Sequence, residues 1–220
     1  MDVPPLVIVV RHAQSEHHVR GLTGGWTDTP LTPLGHEQAR RLAARLRAEL
    51  GDGPIRLYTS DLIRARETAE HLAAAFGAEP IADERLREHN NGEAADLTLA
   101  EARARWPDVF GVAWPIDFRP FPGAETGREF YARAGAFLDG LPAEGPLPVL
   151  VTHGNTLITL VARWLRLTPE ALEPIGFSAH PTGITVLVRD RFGARVVERL
   201  NDVAHLAGME GWVGIGELLN

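Results

Sequence analysis

The chain has no cysteine, and its 22 basic residues include no lysine, so every one is an arginine. Without cysteine there is no disulfide, no thiolate nucleophile and no zinc site of the cysteine type. Without lysine there is no Schiff base, no pyridoxal phosphate attachment and no P-loop lysine. Biased codon use accounts for the missing lysine, but the chemical consequence holds: any anion must be met by arginine, histidine, a hydroxyl or backbone N–H. Long apolar runs are also missing, since none approaches the roughly 18 residues of a membrane span. The opening stretch "MDVPPLVIVVRH" has an acidic second residue, a short apolar run and no basic start, unlike a signal peptide. These absences fit a cytoplasmic protein. An excess of positive charge is lacking as well, with a net charge of −7, so neither nucleic acid nor an acidic membrane is an expected partner.

What is present is an ordinary globular balance, 45% apolar and 23% charged, over 220 residues, enough for one sizeable domain spanning 1–220. No repeat, low-complexity stretch or linker divides it. Short β-branched runs alternate with helical patterns, as in an α/β domain with a mainly parallel sheet. "LVIVV" (Leu6–Val10) reads as a strand apolar on both faces and therefore central. A helix follows, with Thr32 as N-cap, Pro33 at its first position, an apolar face through Ala39, Leu42, Ala43, Leu46 and Leu50, and Gly51 at its end. "IRLYTS" is a second strand, and a second helix carries Leu62, Ala65, Ala69, Leu72, Ala73 and Phe76 on one face.

From Asp83 to Thr126 the pattern loosens into short helical pieces and the Pro-rich, aromatic-rich "WPDVFGVAWPIDFRPFPG", read as a cap over one end of the sheet. Most of its aromatics are expected to seal the cap to the body, and one or two to touch substrate. Trp106, Phe110, Trp114 and Phe118 also suggest room for an apolar or ring-bearing ester. Order resumes at the capping box "TGRE", Thr126 to Glu129. The buried strand "LPVLVT", an all-round apolar helix "NTLITLVARWLRL", and two late strands joined by "RDRFG" complete the chain.

In open α/β sheets ligands bind beyond the carboxyl ends of the strands. Arg11 and His12 follow the first strand, Thr59, Ser60 and then Arg64 follow the second, and His153 with a helix start follows "PVLVT". Two histidines, two arginines and helix N–H donors converging on one crevice of an acidic protein suit a phosphate, which arginine grips bidentately. Taken singly, each residue has a structural reading: a hydrogen-bonded histidine or a solvated arginine. Their agreement at the strand ends favours the functional one.

"RHAQSE" resembles the Arg-His-Gly signature of the histidine phosphatase superfamily, which includes cofactor-dependent phosphoglycerate mutases and many small phosphatases. The resemblance continues, in the family's order and over nearly the whole chain, through "GGWTDTPLTPLGHEQA", "YTSDLIRARETAEHL", "RLREHNNGE", "FPGAETGREFYAR", "VTHGNTL" and "LNDVAHL". It implies a three-layer α/β/α sandwich with a mainly parallel central sheet and a small cap insertion, about 83–126, over its C-terminal edge. It further implies that His12 is the nucleophile that becomes phosphohistidine, that Arg11 and Arg64 bind phosphate, and that His153 is a second pocket histidine. Glu88 is the matching proton donor to the leaving oxygen, with Glu93 as a reserve. Ser15 stands where the family often has a hydroxyl near the phosphate, and Asn155 is a phosphate or substrate contact. Three departures are visible: Ala13 for the common Gly, His18 for the common Asn, and "AAD" (Ala94–Asp96) for the common Trp-Glu-Gly.

The function expected is a metal-independent phosphomonoester hydrolase, without cofactor, acting on a small-molecule phosphate ester. Arg11, Arg64 and His153 would spread the charge of the transferring group. A phosphoglycerate mutase is the alternative: "THGNTL" leans toward it, while the short cap and "LNDVAHL" lean toward the small phosphatases. A catalytically silent binding module on the same fold has no need of the full residue set. A metal site built from His12, His17, His18 and His153 is the last alternative, against which adjacent loop histidines are usually solvated. A homodimer is left open.

Overall fold

β1 (Leu6–Arg11) takes the interior place in the sheet that its unbroken β-branched run requires. Val7 and Val9 turn to one face and Ile8 and Val10 to the other, and all four are buried. The computed structural model describes residues 3–209; the two ends of the expected 1–220 domain, with the acidic Asp2, lie outside the described residues. The other strands are β2 (Ile55–Thr59), β3 (Ile81–Ala82), β4 (Leu147–Thr152), β5 (Ile184–Arg189) and β6 (Arg195–Asp202), in the order β3-β2-β4-β1-β5-β6. β1 to β4 are parallel; β5 and β6 join as an antiparallel edge beside β1. The two-residue β3 is too short to have a periodic signature in the sequence.

Helices cover both faces, giving three layers. α2 (Pro33–Leu50) and α3 (Ile63–Phe76) pack Leu42, Leu46, Ala65, Ala69 and Leu72 against one face. α5 (Gly127–Asp139) and α6 (Gly154–Trp164) pack Phe137, Leu138, Leu157, Leu160 and Trp164 against the other. The expected helix signals act as written: Gly35 N–H donates to Thr32 Oγ at 3.0 Å, Pro33 occupies the first turn of α2, and Thr126 with Glu129 forms a capping box on α5. No helix among the described residues is long and apolar enough to cross a membrane.

Register sets the site. Arg11 of β1 lies opposite Thr152 of β4, and Thr59 of β2 opposite Val151. The carboxyl ends of three neighbouring parallel strands therefore stop at one level. His12 N–H continues the ladder to Thr152 O at 2.7 Å, and Ser60 N–H reaches Val151 O at 3.0 Å. Beyond that edge, residues 83–126 hold α4 (Leu99–Arg105) and short 3₁₀ turns. Ala94, Val109, Phe121 and Ala124 form a small core of their own there, with Trp106 and Phe110 packed against it, so these aromatics pack within the segment rather than against the body.

Candidate active site

A cleft of about 330 Å³ opens at the strand ends, walled below by Arg11, His12, Arg64, Glu88 and Asn155 and above by Leu99, Phe110, Trp114 and Phe121 of the cap segment. His12 is 2% exposed at its floor. Its Nδ1 lies 2.7 Å from the carbonyl of Ala13, which only accepts, so Nδ1 carries the hydrogen. That tautomer puts the lone pair on Nε2, which accepts from Arg64 Nε–H at 3.2 Å. Burial, then the Arg64, His153 and Arg11 neighbours, hold His12 well below the usual histidine range. A neutral imidazole with a fixed lone pair at a cationic cleft is a nucleophile for an anion.

Arg64 is itself 1% exposed and is held by its other nitrogens: Nη1 donates to Thr27 O and Nη2 to Gly25 O, both at 2.7 Å. Gly25 has φ +57°, and a Cβ there would fall 2.2 Å from Asn91 Oδ1. Only glycine gives the loop both that backbone and that close approach. Asn91 ties the same loop down, accepting from Trp26 N–H at 2.9 Å and donating to Thr23 Oγ and Gly24 O. This long-range bracing of Arg64 is invisible to local sequence patterns.

Arg11 stands on the opposite side. Nη1 donates to Ala179 O at 2.5 Å, and Nη2 lies 2.8 Å from His18 Nε2. Its buried Nε has no hydrogen-bond partner among the described residues. Glu88 is placed on the cleft wall by two backbone donors, His89 N–H to Oε1 at 2.9 Å and Asn155 N–H to Oε2 at 3.1 Å. Its segment is fastened to the body through Thr152 Oγ on Leu86 O and Thr156 Oγ on Arg87 O, each 2.8 Å.

The structure brings Arg11, His12, Arg64, Glu88 and Asn155 to one cleft. His153, the residue before α6, is fully buried behind His12, with ring centroids 5.0 Å apart and neither ring nitrogen partnered among the described residues. Ser15 does not face the cleft: it is fully buried, and its hydroxyl meets His17 Nδ1 at 2.8 Å. Glu93 is exposed and paired with Arg105 at 2.7 Å.

The expectation that His17 and His18 are loop residues is corrected. Both lie in the short helix α1 (Glu16–Arg20), and both line the cleft. Ser15 N–H lies 3.1 Å from His18 Nδ1 and the donor Arg11 Nη2 lies 2.8 Å from Nε2, so the one lone pair of the neutral ring accepts from one of these two donors at a time. Among the described residues, no group of three or more histidine or carboxylate side chains is arranged to hold a metal ion.

Keeping these histidines neutral has a cost at low pH. Burial first, then His18, Arg64 and Arg11, lower His17 to about 2. Below about pH 6.5 the unfolded chain binds a proton at this position that the folded chain refuses, so stability falls with falling pH. The window runs from about 6.5 down to about 2. Wild type is expected to lose urea resistance between pH 7 and pH 5, and His17→Asn to lose it less steeply, by on the order of 1 kcal/mol per pH unit. Parallel slopes would show that His17 takes up its proton in the folded state.

The family model of the histidine phosphatase superfamily (branch 1) matches residues 7–203. The chain is 34% identical over 203 residues to a 2,3-bisphosphoglycerate-dependent phosphoglycerate mutase of Azorhizobium caulinodans, covering 88% of this chain and 96% of that one. It is also 34% identical over 176 residues to the enzyme of that name from Xanthobacter autotrophicus, covering 76% and 84%. Among solved structures, YhfR of Bacillus stearothermophilus superposes with a TM-score of 0.77 at 30% identity, covering 91% of this chain and 98% of that one. A mycobacterial glucosyl-3-phosphoglycerate phosphatase, solved with VO3, superposes at 0.74 with 26% identity, covering 90% and 98%.

Proposed function

The chain belongs to the histidine phosphatase superfamily, and on that premise we propose that it is a phosphomonoester hydrolase working through a phosphohistidine at His12. The observation that carries this reading is the fixed tautomer of His12, with its lone pair on Nε2, buried at a cleft floor and met by Arg64 Nε–H. In the first step Nε2 attacks phosphorus, the ester P–O bond breaks, and the leaving oxygen takes a proton from Glu88. The imidazolium so formed keeps its Nδ1–H on the Ala13 carbonyl. In the second step Glu88 takes a proton from water, the hydroxyl oxygen attacks phosphorus, and the P–N bond breaks to release inorganic phosphate. Arg11 and Arg64 meet the phosphoryl oxygens, a pair of donors that supplies positive charge without a divalent ion. The substrate in this reading is a small-molecule phosphate monoester.

A phosphoglycerate mutase shares the first step, and the names of the curated relatives favour it. Such an enzyme must also grip a carboxylate and a second phosphate. Arg11 and Arg64 are the arginines lining the cleft, and nearby Arg87, Arg105, Arg119 and Arg133 are each committed to a carboxylate. That distribution supports the hydrolase. The test offers the enzyme a panel of phosphate monoesters, with and without chelator, beside 3-phosphoglycerate primed with 2,3-bisphosphoglycerate. Phosphate release insensitive to chelator, with no 2-phosphoglycerate formed, is expected. Primer-dependent 2-phosphoglycerate formation faster than any phosphate release would establish the mutase. No reaction in either arm would point to a silent binding module.

A further inference from the structure

A second hollow, about 340 Å³, opens beside the phosphate cleft and shares His89, Trp114 and Asn155 with it. Among the described residues, no aspartate, glutamate or arginine lines it, and its polar side chains are limited to His89, Asn155 and Thr159. The rest is apolar, from the cap (Trp114, Ile116, Phe118) and from the body (Phe130, Ile158, Ile175). Trp114, Phe118 and Ile175 are 38%, 40% and 43% exposed, large apolar side chains left facing solvent around one hollow. A cluster of that kind beside a catalytic cleft marks a binding surface.

The walls are held apart by polar ties rather than collapsed together. Arg128 of α5 bonds Asp117 of the cap through Nε and Nη2, at 2.7 and 3.0 Å, and reaches Glu170 of the body at 2.7 Å. Ile116 N–H donates to Glu173 of the body at 2.8 Å, while within the cap Trp114 Nε1–H donates to Val109 O at 2.8 Å. Cap and body are thus fastened around the hollow from outside, leaving its apolar lining open.

Resting on the phosphohydrolase reading, we propose that this chamber receives the alcohol part of the substrate, and that the substrates are phosphate monoesters of apolar alcohols, alkyl or ring-bearing. With phosphorus at His12, an ester's organic group extends away from the cleft floor, and the shared wall of Trp114 and Asn155 is continuous with the chamber. A polyhydroxylated or carboxylated alcohol would find few partners there, and its stripped polar groups would cost affinity. An apolar group loses nothing and gains burial.

The test compares 2-phenylethyl phosphate with glycerol 3-phosphate, two esters of ordinary alcohols, so leaving-group chemistry does not separate them. Wild type is expected to favour the phenylethyl ester in kcat/KM by about tenfold or more, mainly through KM. Phe118→Asp and Ile175→Asp, at positions exposed enough to accept a charge without unfolding, are expected to cut that ratio about tenfold. Equal kcat/KM for the two esters in wild type, or a ratio unmoved by both variants, overturns the inference. So does light scattering that shows Ile175→Asp breaking a dimer while the ester ratio stays put, since the hollow is then a contact between copies. Direct binding to His12→Ala separates this inference from the parent reading. If no ester is hydrolysed, the hydrolase reading fails, yet about tenfold tighter binding of the phenylethyl ester still supports the chamber. Equal binding of the two esters overturns it.

Discussion

His12→Ala is expected to release phosphate from any ester at least about 10⁴-fold more slowly than wild type, a loss of the size that follows removal of a nucleophile. Arg11, Arg64 and Glu88 keep their places in this variant, because none depends on the imidazole for more than the single 3.2 Å contact from Arg64 Nε. The fold should survive too: the ring's one internal donation is to its own neighbour, Ala13. What disappears is the Nε2 lone pair at the cleft floor, the nucleophile of the proposed first step. Two measurements make the result specific. Wild type quenched during turnover with labelled ester should carry acid-labile, base-stable label, as a phosphoramidate does, and His12→Ala should carry none. Phosphate analogues should still bind the variant, since their charge is met by the arginines. Unchanged turnover in His12→Ala, or label at another residue, would defeat the phosphohistidine mechanism.

The sheet's centre was legible because β1 is apolar on both faces, and a strand of that kind has few places to go. Once β1, β2 and β4 are parallel neighbours, their carboxyl ends must bring Arg11, His12, Ser60 and His153 together, whatever the loops do. The N-caps of α2 and α5 were legible for a similar reason: their chemistry lies within four residues. The roles of single residues needed the family resemblance. α1 escaped both routes. Five residues carry too little periodicity to announce a helix, and its tie from Ser15 N–H uses a histidine ring where a glutamate is the usual signal. His18 therefore read as a solvated loop residue, although it lines the cleft beside Arg11. Ser15 misled in the opposite direction: its hydroxyl is spent on His17, inside the protein. Asn91 and Gly25, 66 residues apart, hold the Arg64 seat through contacts that no window along the chain contains.

Glu88→Gln should divide the reaction into its two halves. The amide keeps the carboxylate's size but accepts from only one of the two N–H groups of His89 and Asn155, while Thr152 and Thr156 still fasten the segment, so the cleft wall stays in place. It neither gives a proton to a leaving oxygen nor takes one from water. For an alkyl phosphate the first step needs that proton, because an alkoxide is strongly basic, and the loss should be roughly 10²–10⁴ in kcat/KM. p-Nitrophenyl phosphate leaves as a weakly basic phenolate and needs little help, so its first step should fall by no more than about tenfold. The second step is the same for both substrates: water attacks phosphohistidine, and without Glu88 as base it becomes slow. The variant should therefore release one nitrophenolate per enzyme in a burst, then turn over slowly while phosphorylated His12 accumulates. With an alkyl ester no burst should appear, since the first step is slow as well. Glu93 offers the control. Exposed and paired with Arg105, it lines neither the cleft nor the chamber, so Glu93→Gln should behave as wild type. A burst from Glu93→Gln in place of Glu88→Gln would move the acid to that residue. Equal losses on both esters without a burst would leave Glu88 a structural tie between the 83–126 segment and α6.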